Sequence, residues 1–153
     1  MFERKSMPVQ KIKNIFYQGA IPALFIAESI EKHKTQTAIG GHSIFLGQIR
    51  ADEKDGKKIS AIEYSTYEQM ALEKMHAIRE DIFEKYPLAC MHVYHSLGKI
   101  NAGEICFFVF TSSAHRKAAI DACQETVERI KTELPIWGKE LFEDDTHQWK
   151  ENK

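Results

Sequence analysis

The sequence lacks the features that commit a chain to a membrane, a nucleic acid or a secretory route. No apolar run approaches the ~20 residues a helix needs to cross a bilayer. Met1-Phe2-Glu3-Arg4-Lys5 does not have the basic-then-apolar order of a signal peptide. Charge of one sign is not in excess: the formal net charge is −1, so no bulk field drives the chain onto an anionic polymer or a lipid surface. Any anion binding must come from a local cluster. Cysteine is scarce. Cys90, Cys106 and Cys123 are odd in number, show no CxxC spacing and sit among apolar neighbours. They read as free buried thiols in a reducing compartment. A persulfide-carrying cysteine needs an accessible thiol of low pKa, and nothing nearby supplies one. P-loop, GxGxxG, nucleophile-elbow and DNA-reading motifs are absent, as are low-complexity segments and interdomain linkers. The expected location is the cytoplasm.

What is present is the balance of a globular protein, 43% hydrophobic and 28% charged over 153 residues. One domain spanning 1–153 is expected, with 1–20 a loosely ordered lead holding at most one short strand, Ile12 to Tyr17. Pro22 opens a helix running to about His33. A strand follows over Thr37 to Ile49, broken by Gly40-Gly41, and then a charged loop over 51–58. Ile59 to Thr66 reads as a strand in which Ala61 and Ile62 fall out of register. Tyr67, Met70, Ala71, Met75, Ile78 and Ile82 give a helix that Pro87 stops. Leu88 to His95 and Ile105 to Thr111 read as strands, the second apolar on both faces and so interior. Ser112 or Ser113 is expected to cap a last helix whose stripe is Ile120, Cys123, Val127, Ile130 and Leu134, ended by Pro135. The order α-β-β-α-β-β-α predicts an α+β fold, an antiparallel sheet with helices packed on one face.

Three features carry chemistry. At Thr111-Ser-Ser-Ala-His-Arg-Lys117 a strand runs into a helix start, where free backbone N–H groups favour an anion. Three cations there oppose the helix dipole, at a few tenths of a kcal/mol each, and phosphate or carboxylate binding is the compensating gain. A solvated basic turn accounts for them equally well. Lys131 flanks the buried stripe, where desolvation lowers a lysine pKa and makes a proton acceptor or nucleophile; the plainer reading is a lysine covering the core edge. Pro135-Ile-Trp-Gly138 reads as a sharp turn that folds Lys139 back toward Lys131. Arg50 closes Phe45-Leu-Gly-Gln-Ile-Arg50 as a fork for carboxylate or phosphate, or is simply a surface arginine. Among the histidines, His92 and His95 are three apart on a strand and face opposite sides. His33, His42, His76 and His147 have no Cys, Asp or His at ligand spacing, so no metal site is expected.

Together these segments resemble the catalytic (large) subunit of molybdopterin synthase. The resemblance runs from about Ile39 to Trp149 and rests on Phe45-Leu-Gly-Gln-Ile-Arg50, Ile62-Glu-Tyr-Ser-Thr-Tyr-Glu-Gln-Met-Ala71, His95-Ser-Leu-Gly-Lys-Ile-Asn-Ala-Gly-Glu104, Ser113-Ala-His-Arg116, and Lys131 with Pro135-Ile-Trp-Gly-Lys-Glu140. It implies an α/β hammerhead fold and a sulfurtransferase that builds the dithiolene of molybdopterin on cyclic pyranopterin monophosphate. No cofactor is expected. Sulfur would come from the C-terminal Gly-Gly thiocarboxylate of a small ubiquitin-like carrier subunit. A homodimer would form the core of a heterotetramer, with no nucleic acid and no membrane partner. By match, the catalytic residues are Lys131 and Lys139, and the substrate-binding residues are Gln48, Ile49, Arg50, His115, Arg116, Lys131, Gly138, Lys139 and Glu140. Three positions depart from the pattern: Gly138 stands where a second lysine is usual, Ser96 replaces an arginine, and Ser65 a glutamate. Arg116 and Lys131 lie fifteen residues apart on one expected helix, about 22 Å along its axis, which implies a pocket completed across a dimer interface. The rival readings are a non-catalytic ferredoxin-like module binding a phosphorylated metabolite, and a scaffold for a ubiquitin-like partner.

Overall fold

Phenylalanines 107, 108 and 110 are fully buried on one strand, with side chains on both of its faces, and this strand organises the molecule. The computed structural model describes residues 13–151, so part of the expected lead lies outside the described residues. In chain order the elements are β1 (Phe16–Gln18), α1 (Ala23–Glu31), β2 (Gly41–Gln48), β3 (Glu53–Lys54), β4 (Lys57–Thr66), α2 (Glu68–Lys85), β5 (Leu88–Asn101), β6 (Ile105–Ser113), α3 (Arg116–Glu133), β7 (Ile136–Phe142) and β8 (His147–Trp149). The sheet runs β2-β6-β5-β4-β7-β8, with β3 on β4. Every pairing is antiparallel except β1, which lies parallel to β5.

Alternation along β6 divides the interior in two. Phe107 and Val109 join Met75, Ile78, Ile82, Val127 and Ile130 in the main core under α2 and α3. Phe108 and Phe110 face the other way and pack with Ile21 and Ile26 of the α1 region. Helices therefore cover both faces, not one. The single-face expectation came from chain order, which cannot tell over which face α1 crosses. Truncating any of these phenylalanines to Ala should cost about 3–5 kcal/mol.

Several local expectations need correction. The sequence 51–58 is no open loop: Asp55 and Gly56, with φ of 53° and 76°, make the two-residue turn of the β3–β4 hairpin. Residues 136–142, expected to begin with a turn, form β7 between β4 and β8. Ser112 and Ser113 belong to β6, and His115 takes the helix N-cap position without a side-chain bond. Ser113 Oγ still accepts the Ala119 N–H at 3.1 Å, reaching in from the strand. The stripe of α3 is Ala119, Ala122, Cys123, Thr126, Val127 and Ile130, while Ile120 is half exposed. Tyr67 and Met70 likewise stay outside the α2 core. The slip between Ala61 and Ile62 is physical, because β4 shifts register against β7 between Ile59 and Ala61.

Candidate active site

Lys131 lies at the C-terminal end of α3, its Nζ 5.0 Å from the centre of the Phe107 ring. It makes no ion pair with a carboxylate among the described residues. Burial, and then the charge of Lys150, hold its pKa below the ordinary lysine value. It opens onto a cleft of about 360 Å³ that Gln48, Ile49, Arg50, Tyr64, Glu140 and Lys150 also line. The end of β2 supplies Gln48. Ile49 is pinned there by backbone bonds to Glu104 and Gly103 at 3.0 and 2.8 Å. Arg50 is exposed, with Asp52 3.3 Å from its guanidinium. Both residues line the cleft.

Glu140 forms the floor. It is 3% exposed and receives Lys54 Nζ at 2.7 Å and Gln148 Nε2 at 3.0 Å. Burial pushes its carboxyl up. The bonds from Lys54 and Gln148, with the charges of Lys54 and Lys150, more than offset this and leave it below the usual range. Cys106 is in the same wall, and burial raises its thiol pKa. That is the wrong direction for a persulfide carrier. Behind it, His95 is buried against Tyr64 with ring centres 4.9 Å apart. Burial brings its pKa down to about 4 despite a bond to the Ser96 carbonyl, so the ring is neutral at physiological pH.

Two expected members are displaced. Lys139 does not fold back to Lys131. In β7 successive side chains alternate, Gly138 and Glu140 pointing into the core, and Lys139 leaves on the other face, 3.5 Å from Glu63. Gly138 is buried, and a Cβ there would stand 3.0 Å from Ile62 Cγ2 and 3.2 Å from Tyr64 Cε1. The cation beside Lys131 is instead Lys150, just past β8, which lines both the main cleft and a small adjoining cavity with it. Nothing in the sequence marked Lys150, because only the β7–β8 pairing brings it there.

His115 and Arg116 occupy a separate, open hollow of about 760 Å³ with Gly40, Ala114, Lys117 and Ile120. Lys117 is engaged by Asp121 at 2.9 Å. The chain passes this point because residue 40 is glycine: a Cβ there would sit 2.2 Å from the Ala114 carbonyl oxygen. One protomer therefore carries two basic hollows, at opposite ends of α3.

A third group contradicts the spacing argument against metal ligands. His33 and His92 are 59 residues apart, yet their Nε2 atoms lie 3.1 Å from each other, and Cys90 completes a set whose ligating atoms fall within 4.8 Å of one another. The end of α1 crosses β5 here, which sequence spacing cannot show. Among the described residues, His33, Cys90 and His92 are a group whose donor atoms are close enough together to hold one ion. His95, as expected, faces the opposite side.

The chain is an α+β sheet protein whose cleft sets the half-buried Lys131 beside Lys150 and Arg50. Residues 22–133 match the MoaE protein family, and the chain belongs to that family. It is 43% identical over 116 residues to the molybdopterin synthase catalytic subunit of Drosophila willistoni, covering 74% of this chain and 31% of that protein. The chain thus spans about a third of that relative's length. The crystal structure of molybdopterin synthase from Staphylococcus aureus superposes with a TM-score of 0.78 at 30% identity, covering 92% of this chain and 99% of that one. A complex of subunits 1 and 2 of molybdopterin-converting factor from Helicobacter pylori shares the fold, with a TM-score of 0.76 at 19% identity over 90% of each chain.

Proposed function

We propose that this chain is the catalytic subunit of a molybdopterin synthase, moving sulfur from the C-terminal thiocarboxylate of a small ubiquitin-like carrier onto cyclic pyranopterin monophosphate. The observation that carries the reading is Lys131: partly desolvated, without a carboxylate partner among the described residues, and beside a second lysine in an open cleft. A thiocarboxylate is an anion on a flexible tail, and a fixed cation in a low-dielectric wall neutralises and orients it. A lysine with a lowered pKa also passes protons nearer neutral pH than an exposed one, as attack at the pterin side chain and release of the carrier require. Partnership with a carrier is supported by the Helicobacter pylori complex, in which the related subunit is bound to a second one.

In this reading Arg50 and Lys150 hold anionic substrate groups at the Lys131 cleft, and His115 with Arg116 hold phosphate from a second protomer. Strand β2 supports that division. Among the described residues it is a sheet edge with three consecutive exposed apolar residues, Ile44, Phe45 and Leu46, and such an edge invites pairing. Antiparallel pairing of two β2 strands about a twofold near Ile44 would set Gly40 and Arg116 of one copy beside Gln48 and Lys131 of the other. The three cysteines are free, in keeping with a reducing, cytoplasmic place; no helix among the described residues is long and apolar enough to cross a membrane.

The test is direct. The chain is incubated with thiocarboxylated carrier and cyclic pyranopterin monophosphate, and dithiolene product is measured. Product that disappears in Lys131→Ala supports the enzyme. Carrier binding without product under any condition favours a scaffold, and binding of the pterin phosphate alone favours a sensor module.

A further inference from the structure

The cluster at the end of α1 lies on the sheet face opposite Lys131 and takes no part in the proposed reaction. We infer that His33, Cys90 and His92 form a binding site for a borderline-soft divalent metal ion of the zinc class. Four observations converge on it. The donor set is two imidazoles and a thiol, the ligand types such an ion takes. The two Nε2 atoms are 3.1 Å apart, and two nitrogens each about 2.0–2.1 Å from one tetrahedral ion stand about 3.3 Å apart. His33 is oriented as a ligand needs to be: its Nδ1 is 2.6 Å from the Ser29 carbonyl, which takes that N–H and leaves Nε2 with its lone pair outward. A hollow of about 220 Å³, reached past Glu28, Ser29, His33 and His92, opens on the pair and has room for a water in the fourth position.

In the metal-free chain the His33–His92 contact stands as a hydrogen bond, with His92 Nε2–H donating. To bind the ion, His92 would carry its proton on Nδ1 instead of Nε2 and Cys90 would release its thiol proton to solvent, one proton per ion bound. The opposing term is positive charge, since Lys13 and Arg79 act on both Cys90 and His92; the Cys90 thiolate offsets part of it. Binding would fasten α1 to β5. Helix α1 otherwise meets the sheet through the small cluster of Ile21, Ile26, Phe108 and Phe110, so the ion would act chiefly on stability.

Cobalt(II) titrated into the chelator-stripped full chain is the probe. The expected result is a tetrahedral visible spectrum with a thiolate-to-metal charge-transfer band, displaced by zinc, and a Tm that rises with added zinc. Cys90→Ser should lose the charge-transfer band. His33→Ala and His92→Ala should weaken binding at least about 100-fold, since losing an outer hydrogen-bond partner alone costs about 10–100-fold. His76→Ala, which removes the exposed His76–Glu80 pair, should change nothing. A wild-type spectrum without a thiolate band overturns the proposal whatever the variants do. So does equal affinity in wild type, Cys90→Ser and His92→Ala.

Discussion

Lys150 donates its backbone N–H to the carbonyl of Gly138 at 2.8 Å, and this bond carries the last lysine of the β7–β8 hairpin into the cleft of Lys131. The position where relatives of this fold are expected to bear a second lysine is closed here by Ile62 and Tyr64, and the second cation arrives from twelve residues further on. Lys150→Gln should therefore lower kcat/KM by about 10–100-fold, the loss of one hydrogen bond to a charged group. The same change should move the pH profile in a definite direction. Lys150 disfavours the protonated form of Lys131, so removing its charge raises the Lys131 pKa and shifts the limb of activity that Lys131 governs to higher pH. A limb that stays in place, or moves down, excludes Lys150 from the site. Lys139→Gln, by contrast, should leave both quantities close to wild type.

Glu140 gives a second pH signature, this time in stability. Its folded pKa lies below the ordinary value of 4.5. A depressed carboxyl stabilises the fold above its unfolded pKa, and the contribution is lost as pH falls through the folded value. Glu140→Gln should thus be less stable than wild type at pH 7, and the gap should narrow below about pH 4.5. Urea unfolding at pH 7 and pH 3 checks this; a gap that widens in acid contradicts the assignment.

Legibility in the sequence followed the range of the forces involved. Period and punctuation located α2, α3, β5 and β6, because Met75, Ile78 and Ile82 or Phe107 to Phe110 declare their burial within a few residues. The slip at Ala61 was visible as a broken alternation and is a real shift in pairing. Strand β7 was hidden behind Pro135 and Gly138, which read as turn residues, and Lys139 was placed wrongly as a result. What could not be read at all depended on contacts across the chain. Lys150 enters through the β7–β8 pairing, His33 meets His92 because α1 crosses β5, and the side on which α1 lies has no local signal. Arg116 and Lys131 were legible as a pair kept apart, since a helix has a fixed rise per residue.

Gly40 should prove to be a structural requirement of the hollow that holds His115 and Arg116, the proposed phosphate half-site. A methyl group at this position collides with the Ala114 carbonyl oxygen at 2.2 Å, and backbone must move to admit it. Gly40→Ala should cost about 1–3 kcal/mol by denaturant titration and displace His115 and Arg116. Gly56→Ala is a useful contrast. It meets nothing within 4 Å, so its cost should come only from the positive φ of 76°. It should leave turnover unchanged at temperatures where both variants are folded.

Whether the two basic hollows act together is decided by complementation. Helix α3 is 18 residues long, and a rigid helix of that length holds its ends about 27 Å apart. One small phosphorylated substrate cannot touch Arg116 and Lys131 of the same copy. In homodimers of Lys131→Ala every site lacks the lysine, and in homodimers of Arg116→Ala every site lacks the arginine. A mixed dimer of the two variants concentrates both defects in one composite site and leaves the other intact. Mixing the inactive variants after partial unfolding and refolding should recover about half the wild-type activity per heterodimer, or about a quarter of the total if chains pair at random. Sites contained within one protomer would recover nothing, because each chain carries its own defect. Heterodimers confirmed by mass but without activity would therefore remove the shared-site reading while leaving the Lys131 cleft intact.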